Sequence, residues 1–270
     1  MYIVKVPGIN GLKTNGCERA GNAILKSLKE EIFSNEEGKA IEFGKLDLEE
    51  IHLDNSNLEL TNKLIYENSF ETFEQHPKTV FLGGDHSISY SIIRAFLDYC
   101  QNSGKNPRLI MFDAHADALE SADKKFPNNR GWLRSLINDG FPVKNILLVG
   151  VRNLGGSEGD FLKQKGIKII SINQLNENLV DVCDSIMEFS NSKELYVSID
   201  IDVIDSAFAP STAYPEPGGL TSRQFIYLIQ RINKIKNLKA LDLTEINGQK
   251  DKGRDNMTIK LGAKILSELI

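Results

Sequence analysis

Short runs of apolar, often β-branched residues alternate with longer amphipathic stretches along the whole chain. Tyr2–Val6, Ala40–Phe43, Thr79–Leu82 and Arg108–Phe112 read as strands, as do Asn145–Val149, Lys168–Ser171, Glu194–Ile199 and Lys239–Leu243. Between them, helical patterning marks Ala20–Phe33, Leu58–Glu74, Ser87–Tyr99, Gly131–Asn138, Asp160–Lys165, Val180–Phe189 and Ser222–Lys234. A last helix, Asp255–Leu269, closes the chain. Near-continuous apolar strands separated by helices predict an α/β fold with a parallel sheet covered on both faces. No Pro/Ser-rich linker, low-complexity tract or internal repeat breaks the pattern, so residues 1–270 are expected to form one domain. Two long irregular loops, Ala118–Arg130 and Asp205–Thr221, start at the carboxyl ends of strands, where ligands gather in open α/β sheets.

Composition narrows the class without naming it. Among 270 residues, 37 acidic side chains outnumber 32 basic ones, a formal charge of −5. No face is evidently Lys/Arg-rich, which argues against a nucleic-acid binder. Cys17, Cys100 and Cys183 are odd in number and lack metal-ligand spacing, so a disulfide framework is not expected. No run approaches about 18 apolar residues, and Met1–Asn10 has no charged start followed by a long apolar stretch. The expectation is a cytoplasmic protein without membrane contact.

Three clusters carry candidate chemistry. Gly83-Gly84-Asp85-His86-Ser87 follows an apolar strand and opens a helix; read alone, it is a sharp turn with Asp85 or Ser87 capping backbone amides. In Asp113-Ala114-His115-Ala116-Asp117, extended geometry places the three polar side chains on one face. Such a convergence at the end of a buried strand is costly unless the groups pair or bind a cation. Ser198-Ile199-Asp200-Ile201-Asp202 repeats the device, with Asp200 and Asp202 together and the isoleucines facing the core. Two divalent cations would balance the four aspartates, which explains how so many acids share one site. Oxygen-rich ligation with a minority of imidazole and no thiolate favours manganese over structural zinc. Bridging carboxylates would hold such ions roughly 3.5–4 Å apart.

With these residues in place, the sequence resembles the ureohydrolase family of arginases, agmatinases and formimidoylglutamases. Asn15-Gly16-Cys17-Glu18-Arg19-Ala20-Gly21 resembles the family's Gly-Val-Glu-x-Gly-Pro segment, with Cys17 in place of valine. The three clusters match its metal motifs in order, Pro210–Thr221 resembles the loop that follows, and Leu241-Asp242-Leu243-Thr244-Glu245-Ile246-Asn247 resembles its late strand. The resemblance implies a three-layer αβα fold with about eight mostly parallel strands, and trimers or hexamers as the assembly. It implies two Mn²⁺ per subunit: His86 on one ion and His115 on the other, Asp113 and Asp200 bridging, Asp117 completing the first shell and Asp202 the second. It further implies a bridging hydroxide attacking a guanidinium or amidine carbon, Asp117 shuttling the proton, and Glu245 pairing with the substrate cation.

Departures from the family bear on the substrate. Thirteen residues beyond Asp117, where arginases and agmatinases carry His-Gly, stands Arg130-Gly131, preceded by Asn128-Asn129. The other histidines, His52 and His76, lie upstream of every motif. Arginine cannot act as the missing acid, because its pKa stays above about 12. Arg130 would repel an arginine or agmatine side chain and suit a carboxylate; the plainer reading is a solvated loop residue. Leu119, Phe126 and Tyr214 replace an asparagine, a serine and a threonine of the arginase pocket, and Ser206 replaces the proline after Asp205. Asn128, Arg130, Tyr214 and Glu245 are therefore the candidate substrate contacts. The readings left open are a guanidino hydrolase of arginase or agmatinase type, a formimidoylglutamase-like hydrolase of an acidic formimino substrate, and a catalytically weak metal-binding paralogue. A glycosyltransferase of the Asp-x-Asp kind leaves Gly83–His86 and Glu245 without a use.

Overall fold

The structure is a computed structural model that describes residues 1–123, 125–191 and 193–270. Lys124, within the Ala118–Arg130 loop, lies outside the described residues. Eight strands are present: β1 (Tyr2–Val6), β2 (Asp47–Glu50), β3 (Thr79–Gly83), β4 (Pro107–Phe112), β5 (Ile146–Val151), β6 (Lys168–Ser171), β7 (Glu194–Asp200) and β8 (Leu238–Thr244). They form one sheet in the order β2-β1-β3-β8-β7-β4-β5-β6, and every neighbouring pair is parallel.

Helices cover both faces. One layer holds α1 (Ala20–Glu31), α6 (Ile172–Glu177), α7 (Leu179–Phe189), α8 (Ser222–Asn233) and α10 (Met257–Ser267). The other holds α2 (Leu58–Gln75), α3 (Ile88–Asn102), α4 (Trp132–Asn138) and α5 (Gly156–Lys165), while the short α9 (Gly248–Asp251) follows β8. Alternation along the strands feeds the two cores: Ile110 and Phe112 of β4 pack into the first, Leu109 and Met111 into the second. Among the described residues, no helix is long and apolar enough to cross a membrane.

One expected strand is displaced. Ala40–Phe43 is not in the sheet; Ala40 makes a single antiparallel bridge to Ser34, and Ile41 and Phe43 pack only partly buried against the core. The edge position belongs to β2, whose Asp-Leu-Glu-Glu sequence is exposed over most of its length. An edge strand pairs on one side and tolerates charge, so β2 carries no apolar signal. Its acids instead meet β1, Glu49 accepting from the Tyr2 hydroxyl and Glu50 pairing with Lys5.

Strand order explains the convergence of the motifs. β3, β8, β7 and β4 are consecutive neighbours, and all four point their carboxyl ends the same way. Residues far apart in sequence thus arrive one inter-strand spacing apart, about 4.8 Å.

Candidate metal centre

β3 runs straight into the Gly83–Ser87 turn, whose backbone passes against the loop after β1. A Cβ on Gly84 would collide with the Gly8 carbonyl, so no larger residue fits. Asp85, fully buried, ties this turn together: its Oδ2 accepts from the amides of Asn10 (2.8 Å) and Gly11 (2.7 Å) and from Thr14 Oγ1 (2.8 Å). Its Oδ1 accepts from the Ser87 amide at 3.0 Å, the capping contact expected of the motif taken alone. His86, the next residue, is carried into the sheet's carboxyl edge with no solvent exposure.

There the aspartates meet it. His86 Nδ1 lies 3.1 Å from Asp113 Oδ2, 3.0 Å from Asp117 Oδ2 and 3.5 Å from Asp200 Oδ2. His115 Nδ1 lies 2.9 Å from Asp202 Oδ2 and 3.5 Å from Asp113 Oδ1. Backbone amides fix one oxygen of each inner aspartate. Asp113 Oδ1 accepts from His115 N (2.6 Å), Asp200 Oδ1 from Asp202 N (2.8 Å), and Asp202 Oδ1 from Ala114 N (3.0 Å). The second oxygens turn toward the imidazoles. Two triads result, His86–Asp113–Asp200 and Asp113–His115–Asp202, each with ligand atoms within 4.8 Å of one another and Asp113 common to both.

The donor set fits divalent cations. Despite their proximity, His86 Nδ1 and Asp113 Oδ2 are buried without a hydrogen-bond partner. Lone pairs crowded together and unsatisfied are costly in a protein interior unless a cation accepts them. Electrostatics agree. Burial, then Asp202 and Asp113, push the Asp200 carboxyl well above its usual range, and burial with Asp113 raises Asp117. Burial opposes protonation of His115, yet Asp113 and Asp202 push it up to about 12; His86 is likewise raised against burial by Asp113, Asp117 and Asp200. Negative charge here exceeds what the imidazoles balance.

A buried polar layer holds the imidazole from beneath. Ser198 Oγ donates to Asp242 Oδ1 at 2.8 Å, so its oxygen is left to accept from His86 Nε2 at 2.9 Å. That network directs the Nε2 proton to Ser198 and leaves Nδ1 facing the carboxylates, where a bound cation would take its lone pair. Asp242 is fixed in turn by Ser89 and Tyr196 hydroxyls, each at 2.8 Å. Trp132 Nε1 donates to Asp117 Oδ2 at 2.8 Å, and its ring packs 4.8 Å from that of His86. None of these supporting roles was expected from sequence. Ser198 and Asp242 did carry a signal, since each is polar at a buried strand position.

Above the carboxylates opens a cavity of about 250 Å³ lined by His115, Asp117, Asp200, Asp202 and Glu245, with Leu119, Asn129, Arg130, Tyr214 and Glu216 on its walls. Glu245 holds a left-handed backbone (φ 65°), as does Asp117 (φ 48°), a strain typical of functional positions. Glu245 Oε1 accepts from the His86 amide and from Asn129 Nδ2, both at 3.0 Å, while Oε2 has no partner. Burial, with Asp85 nearby, raises its pKa to about 8. Arg130 and Tyr214 reach the wall, the guanidinium 5.8 Å from the ring centroid. Asn128 does not: its side chain turns back to accept from the Arg130 amide at 3.1 Å, and Asn129 occupies the wall instead. Glu158 and Glu216, unmarked by any motif role, also line the space; Glu216 Oε1 lies 3.4 Å from His115 Nε2.

A parallel αβα sheet that gathers aspartates and histidines at its central strand ends is the architecture of the metal-dependent ureohydrolases, which act on carbon–nitrogen bonds of amidines and guanidines. A sequence profile of the Arginase family matches residues 2–270, and the chain belongs to that family. It is 26% identical over 244 residues to a mitochondrial arginase 1 of Oryza sativa subsp. indica, covering 87% of this chain and 69% of the relative. It is 26% identical over 275 residues to an arginase of Staphylococcus aureus, covering 91% and 89%. Its fold superposes on a formimidoylglutamase structure from Bacillus subtilis with a TM-score of 0.88 at 22% identity, covering 99% of this chain and 85% of that one.

Proposed function

We propose that this chain is a dinuclear manganese hydrolase that cleaves a non-peptide carbon–nitrogen bond of a guanidino or formimino compound. The observation that carries the reading is the unsatisfied pair His86 Nδ1 and Asp113 Oδ2 at the centre of four aspartates. His86, Asp113, Asp117 and Asp200 would hold one ion; Asp113, His115, Asp200 and Asp202 would hold the other. When bound, the ions would supply a nucleophilic water near neutral pH and neutralise the carboxylates.

The side chains divide the remaining work. Glu245, which lines the cavity and whose Oε2 is unpartnered, would form a charge-assisted pair with the cationic head and fix its planar carbon. Asn129 and the His86 amide lock Oε1 so that this second oxygen stays available. Asp117, held by Trp132 Nε1, would take a proton from the attacking water and return it to the departing amine. A formimino substrate is the second reading, favoured by Arg130 on the cavity wall where a shuttle histidine is absent. The same reading includes a cytoplasmic homo-oligomer, which size-exclusion chromatography with light scattering tests.

Incubation with Mn²⁺ and a panel of agmatine, arginine, 4-guanidinobutanoate and N-formimidoylglutamate should release urea or formamide. Neither product from any member would overturn the hydrolase and favour a non-catalytic metal-binding role.

A further inference from the structure

We propose that Lys13 and Arg130 form a cationic rim that selects a substrate carrying a carboxylate at the end remote from the reacting carbon. The inference rests on the hydrolase reading and adds the substrate's charge pattern to it. Both cations sit on one ring: Lys13 Nζ is 5.9 Å and the Arg130 guanidinium 5.8 Å from the Tyr214 centroid. Among the described residues, no carboxylate lies within ion-pair distance of either. Glu158 senses the charge of Arg130, but its own oxygens are held by the amides of Ala118 (3.0 Å) and Gly155 (3.2 Å).

The rim is built rather than loose. Tyr214 donates its hydroxyl to the Leu12 carbonyl at 2.9 Å, joining the loop before α1 to the loop after β7. Thr14, next to Lys13, is anchored on Asp85, and Lys13 itself adopts a left-handed backbone (φ 68°) that lysine rarely takes. Leu119 adds an apolar side chain to the cavity lining, suited to methylene groups. The floor, with Glu245, attracts a cationic head; the rim attracts an anion. A ligand with opposite charges at its ends satisfies both, whereas a tail ammonium meets two like charges.

The test compares kcat/KM for 4-guanidinobutanoate and agmatine, with Mn²⁺, in the wild type, Arg130→Lys and the double variant Lys13→Ala/Arg130→Ala. Both residues are exposed, so folding should be retained. The wild type should prefer the carboxylate compound, and in the double variant that preference over agmatine should fall by about 10- to 100-fold. Arg130→Lys should keep part of the preference. A wild type that favours agmatine, or a preference unchanged in the double variant, overturns the rim. Where neither compound is hydrolysed, calorimetric binding of the same two compounds to the Mn²⁺-loaded protein decides. A carboxylate preference abolished in the double variant then supports the rim, the hydrolase reading being decided separately by the full substrate panel; no binding, or no preference, overturns the rim.

Discussion

The floor of the cavity and its rim are built in opposite ways. Floor residues lie at or just after the carboxyl ends of four adjacent parallel strands and are buried apart from the partly exposed His115. Each aspartate among them has one oxygen fixed by a backbone amide or an indole. Rim residues come from three loops joined by a few contacts, among them Tyr214 to the Leu12 carbonyl and Asn10 Nδ2 to the Phe126 carbonyl at 3.0 Å. Regular backbone hydrogen bonding makes the floor stiff, and loop geometry leaves the rim free to differ residue by residue. Under the proposed function, the chemistry belongs to the sheet and selection to the loops.

Substitutions can break this division, and the floor should respond most. Asp200→Ala removes an oxygen donor at the centre of the cluster; hydrolysis should fall by roughly 10³-fold or more, with Mn²⁺ uptake reduced in parallel by elemental analysis. Unchanged uptake would detach Asp200 from metal binding. Glu245→Gln keeps an acceptor for the His86 amide and Asn129 but removes the charge. It should cost about 100-fold in kcat/KM while Mn²⁺ binding persists, a split that separates substrate pairing from metal binding.

Asp242→Asn lies one layer below, where it touches Ser198 and not the cavity. Mn²⁺ affinity should weaken about 10- to 100-fold in titration calorimetry, because the tautomer of His86 loses its support. A variant that binds Mn²⁺ like the wild type would reduce that layer to packing.

Stability with chelator follows from the raised pKa values. Glu245 is raised to about 8, and Asp200 is also raised, so the folded chain binds more protons than the unfolded chain. Stability from Glu245 is full below about 4.5 and is lost as pH passes about 8; His115, raised to about 12, contributes with the same sign over a higher window. The chelated protein should therefore melt lower at about pH 9 than at about pH 5, by on the order of 5 °C, and Mn²⁺ should remove most of the difference. A flat profile would show that the carboxylates do not crowd one another. At the rim, Tyr214→Phe deletes only the bond to Leu12; a rise of a few fold in KM with kcat intact is expected. A collapse of kcat would move Tyr214 from rim to reaction.

The same contrast governs what the sequence discloses. Polar residues spaced by two at buried strand ends were enough to group Asp113, His115 and Asp117, and Asp200 with Asp202, but strand alternation is not what gathers them. β4 ends at Phe112, the chain bends at Ala114 and His115 and turns left-handed at Asp117, and Asp202 lies in a 3-10 turn just after β7. The edge strand β2 was invisible, since a strand paired on one side carries Asp-Leu-Glu-Glu as readily as an apolar run. α6 was missed because its 6 residues make fewer than two turns, too short for periodicity to register. Asn128 and Asn129 differ by a single residue, and only the turn at Arg130 decides which faces the cavity. Glu158 reaches the cavity from the first turn of α5 and Glu216 from the loop after β7, a convergence that no local spacing encodes.

The central claim is that divalent cations join the carboxylates and imidazoles at the ends of β3, β4 and β7. Anomalous diffraction at the manganese edge from crystals grown with Mn²⁺ tests it most directly. The account predicts about two peaks, one among His86, Asp113 and Asp200 and one among Asp113, His115 and Asp202. Density free of any peak between those side chains, at saturating Mn²⁺, would contradict it.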